Sequence, residues 1–551
     1  MPTIKEEGAD SFGGGMVDTT GATEFEPNEA EFILNGRRLE DETVERRGGS
    51  LRITEVPIDN GAPAYFGEVF EPVVGPPQTI IIAGPKAYRS LDGGKTRTLI
   101  AEGLHEDFWD HAILRIGNTN CLYLANGGPS VYRWDGAIWT ALAAWPAGVR
   151  VIEAHHKRLW GAGHNGPEVL ASAILDPAAT DVDAGGWKSP VPLYDGDTAI
   201  TGLFSLDGRL LVFKHNSITP VDGYDDDDFA VGTGDGAVSQ SVGAMAFRTI
   251  IPIGDHGVGF LSKRGFEYLT FGEGMRLATG KILGFFRRVS WSDIQARPGM
   301  PVACYLIARQ EVLLAVPGAS ARNDHTFLIN LRNFSCYLWR PNVSGGWTVF
   351  VNAEGYTEVA EGTQFSLVRS EGGYGVRAGT REPGSTVAPS AAGYLEVVGA
   401  DYESAVLFTT DRGNDFGAPV SIGFDGHIRW LDYGDRDDMD PDEHGGHPVR
   451  LLIIPRPFHY GVGHHSKQVV DGDVAVACEA AADVFVTVVV DGKEGSPIRI
   501  PFTPPANDRP YSKRFLPLGY SGKTLQAHIS TTARVRVGSF HLRASVDSRA
   551  Y

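Results

Sequence analysis

From about residue 51 to 380 the chain repeats one pattern: a β-rich run, a Gly or Asn/Asp turn, and a second β-rich run. "TIIIAGPKAYRSLDGGKTRTLI" is followed by "HAILRIGNTNCLYLANGGPSVYRWDGAIWTAL", "VIEAHHKRLWGAGHNGPEVLASAIL", "AITGLFSLDGRLLVFKHNSITPVDGY" and "IIPIGDHGVGFLSKRGFEYLTFGEGMRL". "CYLIARQEVLLAVPG" and "HTFLINLRNFSCYLWR" close the series. Within it "NCLYLANG", "KRLWGAG", "GRLLVFK" and "GVGFLSK" read as one strand met again. The spacing is roughly 40 to 50 residues, the period of a four-stranded propeller blade. Helical periodicity is weak nearly everywhere, and a closed ring of blades leaves few strand edges to aggregate. The 69 glycines are scattered without a collagen period, as many short strands joined by tight turns require.

The flanks have other textures. Residues 1–50 hold few apolar side chains before Phe32, Ile33 and Leu34 and end in a Gly pair, which reads as an extended N-terminal arm. Beyond about 390, "VAVACEAAADVFVTVVVDGKEGSPIRIPF" and "KTLQAHISTTARVRVGSFHLRASV" alternate β-branched and polar residues. The expected fold is therefore all-β. It comprises an arm over 1–50, a β-propeller over 51–380, a linking or inserted region over 381–460, and a C-terminal antiparallel β-sandwich over 461–551.

Composition narrows the function. Apolar residues make up 42% and charged residues 21%, which marks a globular chain. Cys121, Cys304, Cys336 and Cys478 lie far apart, so neither a disulfide framework nor a zinc module is expected. The start lacks the basic and apolar regions of a signal peptide, and no apolar run is long enough to span a membrane. Synthesis and folding in a reducing cytosol are the expectation. The formal net charge of −19 opposes a surface that grips nucleic acid through its phosphates. It suits one past which nucleic acid slides.

Several motifs invite a chemical reading. "SLDGGKT" fits S-x-D-x-G-x-T through Ser90, Asp92, Gly94 and Thr96, the Asp-box of sialidase propellers. Its Asp and hydroxyl groups serve a hairpin turn, and Arg97 stands where the motif normally ends in Trp. A turn is expected, not a glycosidase centre. "GAGHNG" (161–166) matches GxGxxG with Asp181 and Asp183 downstream, but Pro167 and the β repeats contradict the βαβ setting a dinucleotide needs. His444 and His447, His464 and His465, and "HEDFWDH" from His105 to His111 place imidazoles near carboxylates without a zinc-site spacing. "DGYDDDDF" (222–229) lacks the alternation of an EF-hand and reads as a hydrated acidic turn. No GxSxG elbow or Walker loop is present. The expectation is a chain that is not an enzyme, with no catalytic, cofactor-binding or metal-ligating residues and no cofactor.

The arm carries a family resemblance. Asp10, Phe12, Gly13 and Gly14, then Pro27 to Ala30, Asn35, and Arg47 with Gly48 and Gly49 resemble the amino terminus of a group of tailed-bacteriophage virion proteins. "KRLWGAGHNGPEVLASAILDP", "GDTAITGLFSLDGRLLVFKHNSITPVDGY" and "FLPLGYSGKTLQAHIS" are similar to the group's middle and end. In short-tailed phages such proteins form the tail nozzle or hub. The resemblance implies a structural protein of the phage tail, made in the host cytoplasm and located in the virion. It implies a cyclic homo-oligomer, with six copies expected, that meets adaptor or portal-side proteins, carries tail fibres or spikes, and passes viral DNA during ejection without binding it specifically. The alternative, from another class, is a glycan-binding or sialidase-like propeller of the tailspike type.

Overall fold

The computed structural model describes residues 3–18, 26, 28–192, 199–339 and 404–546, short breaks within the last two aside, and five strands between 350 and 397. The chain forms two compact units. One comprises Arg52–Arg332 with Glu403–Leu431, the other Met1–Leu51, Asn333–Tyr402 and Asp432–Tyr551.

The first unit is a β-propeller. Among the described residues, five successive four-stranded antiparallel sheets are its first five blades. Their innermost strands are Ala64–Phe70, Asp110–Ile116, Val151–His155, Ile200–Leu206 and Ile251–Ile253. A meander of Val302–Leu306, Glu311–Val316 and His325–Asn330 follows. The sixth four-stranded blade is built from Ser404–Arg412, Asp415–Gly423 and Ile428–Leu431, and is completed from far upstream. There Ile53, just after the strand Ser50–Arg52, donates its N–H to the Ile428 carbonyl (2.9 Å). Val302–Leu306 lies beside both Ile251–Ile253 and Ser404–Arg412, and Ser404–Arg412 lies beside Ala64–Phe70, so the ring closes.

The repeated sequence runs are the second strands of the blades: Thr119–Ala125, Arg158–Ala162, Arg209–Lys214 and Gly257–Ser262. Each is apolar without alternation because both faces are covered. In the first blade Ile80 and Ile82 pack with Leu122, Leu124 and Trp134 of the second, while Ile81 and Ala83 pack with Val406, Val420 and Ile422 of the sixth. Leu210 and Val212 likewise face Trp160 and Val169, while Leu211 and Phe213 face Val258 and Phe260. A fully buried Ile contributes about 2 kcal/mol, so these strands weld neighbouring blades together. The turns obey local rules: Asp207 and Gly208 both take positive φ (48° and 80°), as a two-residue hairpin joining Ile200–Leu206 to Arg209–Lys214 requires.

The second unit is an antiparallel β-sandwich. The strand Val535–Val546 buries alternate residues and pairs along one edge with Lys467–Cys478. Along its other edge it pairs with Thr3–Ala9 and Val44–Arg46. A second sheet joins Glu29–Leu34, Leu451–Pro455, Leu525–Thr531 and Ala482–Val490.

The chain thus divides differently from the boundaries expected at 50, 380 and 460. Residues 404–431, expected in the linking region, build a propeller blade. More than one repeat length separates them from the preceding meander, which hides them from any search for a period. The expected arm is woven into the sandwich. Its few apolar residues are supplemented by buried polar ones: Arg37, Arg46 and Arg47 are all buried. Arg47 donates to the Asn35 side-chain oxygen (2.9 Å) and the Gly48 carbonyl (2.7 Å), and Asn35 donates to the Arg450 carbonyl (3.0 Å). Asp432 accepts from Arg37 (2.6 Å) and from the Gly48 N–H (2.6 Å). The Trp339 indole donates to the Gly36 carbonyl (2.7 Å), and its ring lies 4.8 Å from the Arg37 guanidinium carbon. A polar joint of this kind leaves no apolar period to read.

Removing residues 1–46 should therefore unfold the sandwich, which loses five described strands, among them Thr3–Ala9, Glu29–Leu34 and Val44–Arg46, and most of this joint. Scanning calorimetry of the truncated chain is expected to lack a transition that the full chain has, and trypsin is expected to cut within 467–546.

Candidate functional site

The innermost strand of each blade has no strand along its axial edge, so N–H groups there need other acceptors. Three consecutive blades meet this need with an acid. Glu68 Oε1 accepts from the Val69 N–H (2.9 Å) and Glu153 Oε1 from the Ala154 N–H (2.8 Å). Asp110 accepts twice, from His111 in its own strand (3.0 Å) and from Ile152 in the next blade (3.0 Å). Asp110 is thus a bridge between the second and third blades. His111 Nε2 lies 4.0 Å from Glu68 Oε2, which links the second blade to the first.

One cation reaches across the axis. Arg248, in the turn before the fifth blade, donates to the Gly299 carbonyl (2.8 Å) and to the Ala405 carbonyl of the sixth blade (2.9 Å). Its guanidinium carbon sits 4.8 Å from the centre of the Phe108 ring, at the approach to the second blade. Phe108 meets Tyr65 edge-on at 5.5 Å. Gly299 is needed for this fit: a Cβ there would lie 2.3 Å from Phe108 Cβ and 2.7 Å from Phe247 Cζ. Arg150 pairs with Asp107 (3.0 Å) beside the same group.

The electrostatics follow from enclosure. Glu68 and His111 keep 29% and 35% of their side-chain surface open, the rest being enclosed by protein. Burial therefore disfavours every charge. It pushes the Glu68 and Asp110 carboxyls up to about 7, the latter against its two backbone hydrogen bonds. Glu153 rises to about 8 through burial, with the nearby Asp110 adding to it. His111 falls to about 4 through burial and the neighbouring Arg248, and Arg248 falls to about 9 despite Asp110 and Asp107. Chemically the axis carries three carboxyls that burial biases towards their neutral forms, each accepting a backbone hydrogen bond.

The sequence motifs fall elsewhere. Ser90, Asp92 and Thr96 close on each other: Ser90 Oγ donates to Asp92 (2.7 Å) and accepts from the Gly94 N–H (2.7 Å), while Asp92 accepts from the N–H and hydroxyl of Thr96 (2.8 and 2.7 Å). Burial opposes ionisation of Asp92, but these bonds outweigh it and hold its carboxyl below the usual range. "GAGHNG" forms the turn between Arg158–Ala162 and Glu168–Ala171. In the acidic turn Asp228 accepts from the N–H groups of Tyr224 and Asp225 (both 2.8 Å), and Asp222 pairs with Arg209 (2.9 Å). His447 lies on the two-residue strand His447–Pro448, while His444, His464 and His465 lie outside the described residues. All four cysteines are buried thiols. Among the described residues a trio of ligand-type atoms converges at Glu6, Asp473 and His541 in the sandwich, within 4.8 Å of one another. Arg543 donates to Glu6 (3.4 Å) and Asp473 (3.3 Å) there, which makes the trio part of a surface ion-pair network.

Reading the sequence for motifs misses Glu68, Glu153 and Arg248, and meets Asp110 and His111 only at the end of "HEDFWDH". The available signal was an acid recurring in the first strand of successive repeats, in "AYFGEVF", "DHAILRI" and "VIEAH".

Fold and axis together define a β-propeller chain with an antiparallel β-sandwich. No protein-family model matches the sequence, and no curated protein matches it. Among solved structures the chain is similar to Saccharomyces cerevisiae Sqt1, at 8% identity over 70% of this chain and 98% of that one, with a TM-score of 0.37. It is similar to YCF48 from Cyanidioschyzon merolae, at 10% identity over 52% and 93%, with a TM-score of 0.30. It is also similar to PorZ, a surface component of the type-IX secretion system of Porphyromonas gingivalis, at 10% identity over 84% and 60%, with a TM-score of 0.37. Likeness at this level concerns the fold alone. Among the described residues no helix is long and apolar enough to cross a membrane.

Replacing Asp92 by Ala should cost about 1 kcal/mol, the worth of a turn hydrogen bond. Because the folded carboxyl is depressed, the cost should be full above the usual carboxylate range and vanish as pH falls through the folded value. Urea unfolding at several pH values checks both. Arg248→Gln should cost about 2–4 kcal/mol by leaving the Gly299 and Ala405 carbonyls without their donor, and Arg248→Lys should restore part of that, as urea midpoints would register.

Proposed function

We propose that this chain is a structural protein of a bacteriophage tail, of the nozzle or hub type, assembled as a closed ring. The observation that carries the reading is the fate of the residues on which the phage resemblance rests. Asn35, Arg47 and Gly48 sit together in one hydrogen-bonded joint of the sandwich, which is what a motif kept for assembly of a fold, not for chemistry, would do. Arg248 ties the approaches to the second, fifth and sixth blades together across the propeller axis. Viral DNA would therefore pass between copies of the chain rather than along that axis. A net charge of −19 favours sliding over capture in such a passage. Closed rings arise from heterologous contacts that return on themselves. Adaptor or portal-side proteins would meet one end of the ring, and fibres or spikes its flank.

Native mass spectrometry of the purified chain tests this. A single cyclic species, with six copies expected from the resemblance, supports the reading. A chain that stays monomeric at micromolar concentration and hydrolyses or binds sialosides would replace it with the glycan-directed alternative.

A further inference from the structure

The strand Thr3–Ala9 is fastened to the sandwich by contacts that the same strand of another copy would reproduce. It pairs in continuous register with Val535–Val546, from Thr3 opposite Val546 to Ala9 opposite Phe540. Among the described residues its other edge meets no strand. Apolar burial adds little, since Ile4 is 61% exposed and Ala9 is the one buried residue between 4 and 9. Charge supplies the rest. Glu7 accepts from the N–H groups of His459 (2.8 Å) and Tyr460 (2.5 Å) and lies 3.8 Å from Arg456. Lys5 donates to the Tyr460 carbonyl (2.8 Å), and Arg543 donates to Glu6 (3.4 Å).

The edge that receives this strand is selective. Gly8 lies opposite His541, and a Cβ there would stand 2.2 Å from the Phe540 carbonyl oxygen and 2.3 Å from His541 Cδ2. Backbone cannot yield that much, so the edge admits Gly at this register position. An acidic pair before a Gly, set against Arg456 and Arg543, is therefore what fits, and each further copy of the chain carries it. Beyond the strand the chain is loose and then fixed. The Asp10 side chain is 84% exposed, whereas Phe12 is fully buried and the Gly13 carbonyl accepts from Asn333 (3.2 Å) and Tyr337 (3.4 Å). Asp10 and Ser11 are thus placed to act as a hinge.

We propose that Thr3–Ala9 is exchanged between copies: each chain lays this strand along Val535–Val546 of its neighbour and receives the strand of the next. The proposal rests on the ring reading above and names a contact that closes the ring. Exchange preserves every ladder pair and ion pair of the strand, so it sacrifices no contact and asks only for a turn at the hinge. Giving on one side and receiving on the other is the heterologous arrangement that returns on itself.

A crosslink tests this. Ile4→Cys with Ser545→Cys puts thiols on two paired residues, and the four native thiols are buried, so a short bis-maleimide joins the introduced pair. From rings, a denaturing gel is expected to show chains joined to one another. Chains bridged only within themselves, in a sample that native mass spectrometry shows to be rings, overturn the exchange and leave the ring standing. A labelled peptide of residues 3–10, added in excess to the intact chain, gives a second measurement that needs no ring. Uptake of one peptide per chain, lost when the peptide carries Gly8→Val, supports a replaceable strand, and where rings form the peptide should dissolve them. No uptake, or equal uptake of the Gly8→Val peptide, overturns the proposal. A chain that takes up the peptide selectively yet never forms rings keeps the strand site and loses the ring reading.

Discussion

An innermost propeller strand has an edge that no other strand can cover, and every N–H along it must find an acceptor or lose its solvation. In three blades of this chain one acceptor is a carboxyl that belongs to the strand itself. Because Asp110 accepts from both its own strand and the next, the same device that satisfies an edge also fixes one blade against another. Ring closure follows the same logic. Ile53 supplies a hydrogen bond to a blade made from residues that lie far downstream, so early and late segments of the chain are fastened in one sheet. The apolar second strands then fill the space between blades on both faces.

The sandwich depends on a different compensation. The first residues of the chain have little apolar surface, and the unit accepts them by burying Arg37, Arg46 and Arg47, with Asp432 accepting from Arg37 and Asn35 from Arg47. Burying a guanidinium is costly unless its hydrogen bonds and charge are met, so Asn35, Asp432 and the carbonyl oxygens around them specify where the segment lies. Trp339 covers the joint and donates into it.

What could be read in the sequence follows from which of these forces is local. Burial on both faces writes itself as an apolar run, so "KRLWGAG" and "GRLLVFK" announce blades before any coordinates exist. Turn chemistry is local too, and the Ser90–Thr96 hairpin closes on the hydroxyl and carboxyl groups its motif names. Pairing between distant segments has no local signature. For that reason residues 404–431 read as a linker, and residues 1–50 read as an arm although Thr3–Ala9 and Val44–Arg46 are strands of the sandwich. The axial site was half legible. Glu68, Asp110 and Glu153 stand out as acids in apolar strands, but only the fold shows that the three strands are neighbours round one axis, and nothing near Arg248 in sequence points to Ala405.

These features describe a scaffold fastened at its axis by polar contacts and joined to a sandwich that uses both ends of the chain. The ring assembly proposed for such scaffolds would leave a passage between their propellers. Electron cryomicroscopy of the purified, assembled chain tests it most directly. The expected particle is cyclic, with a passage that runs between propellers and is bounded by neutral to acidic surface. Open filaments, isolated monomers, or a passage lined with exposed Lys and Arg would contradict it.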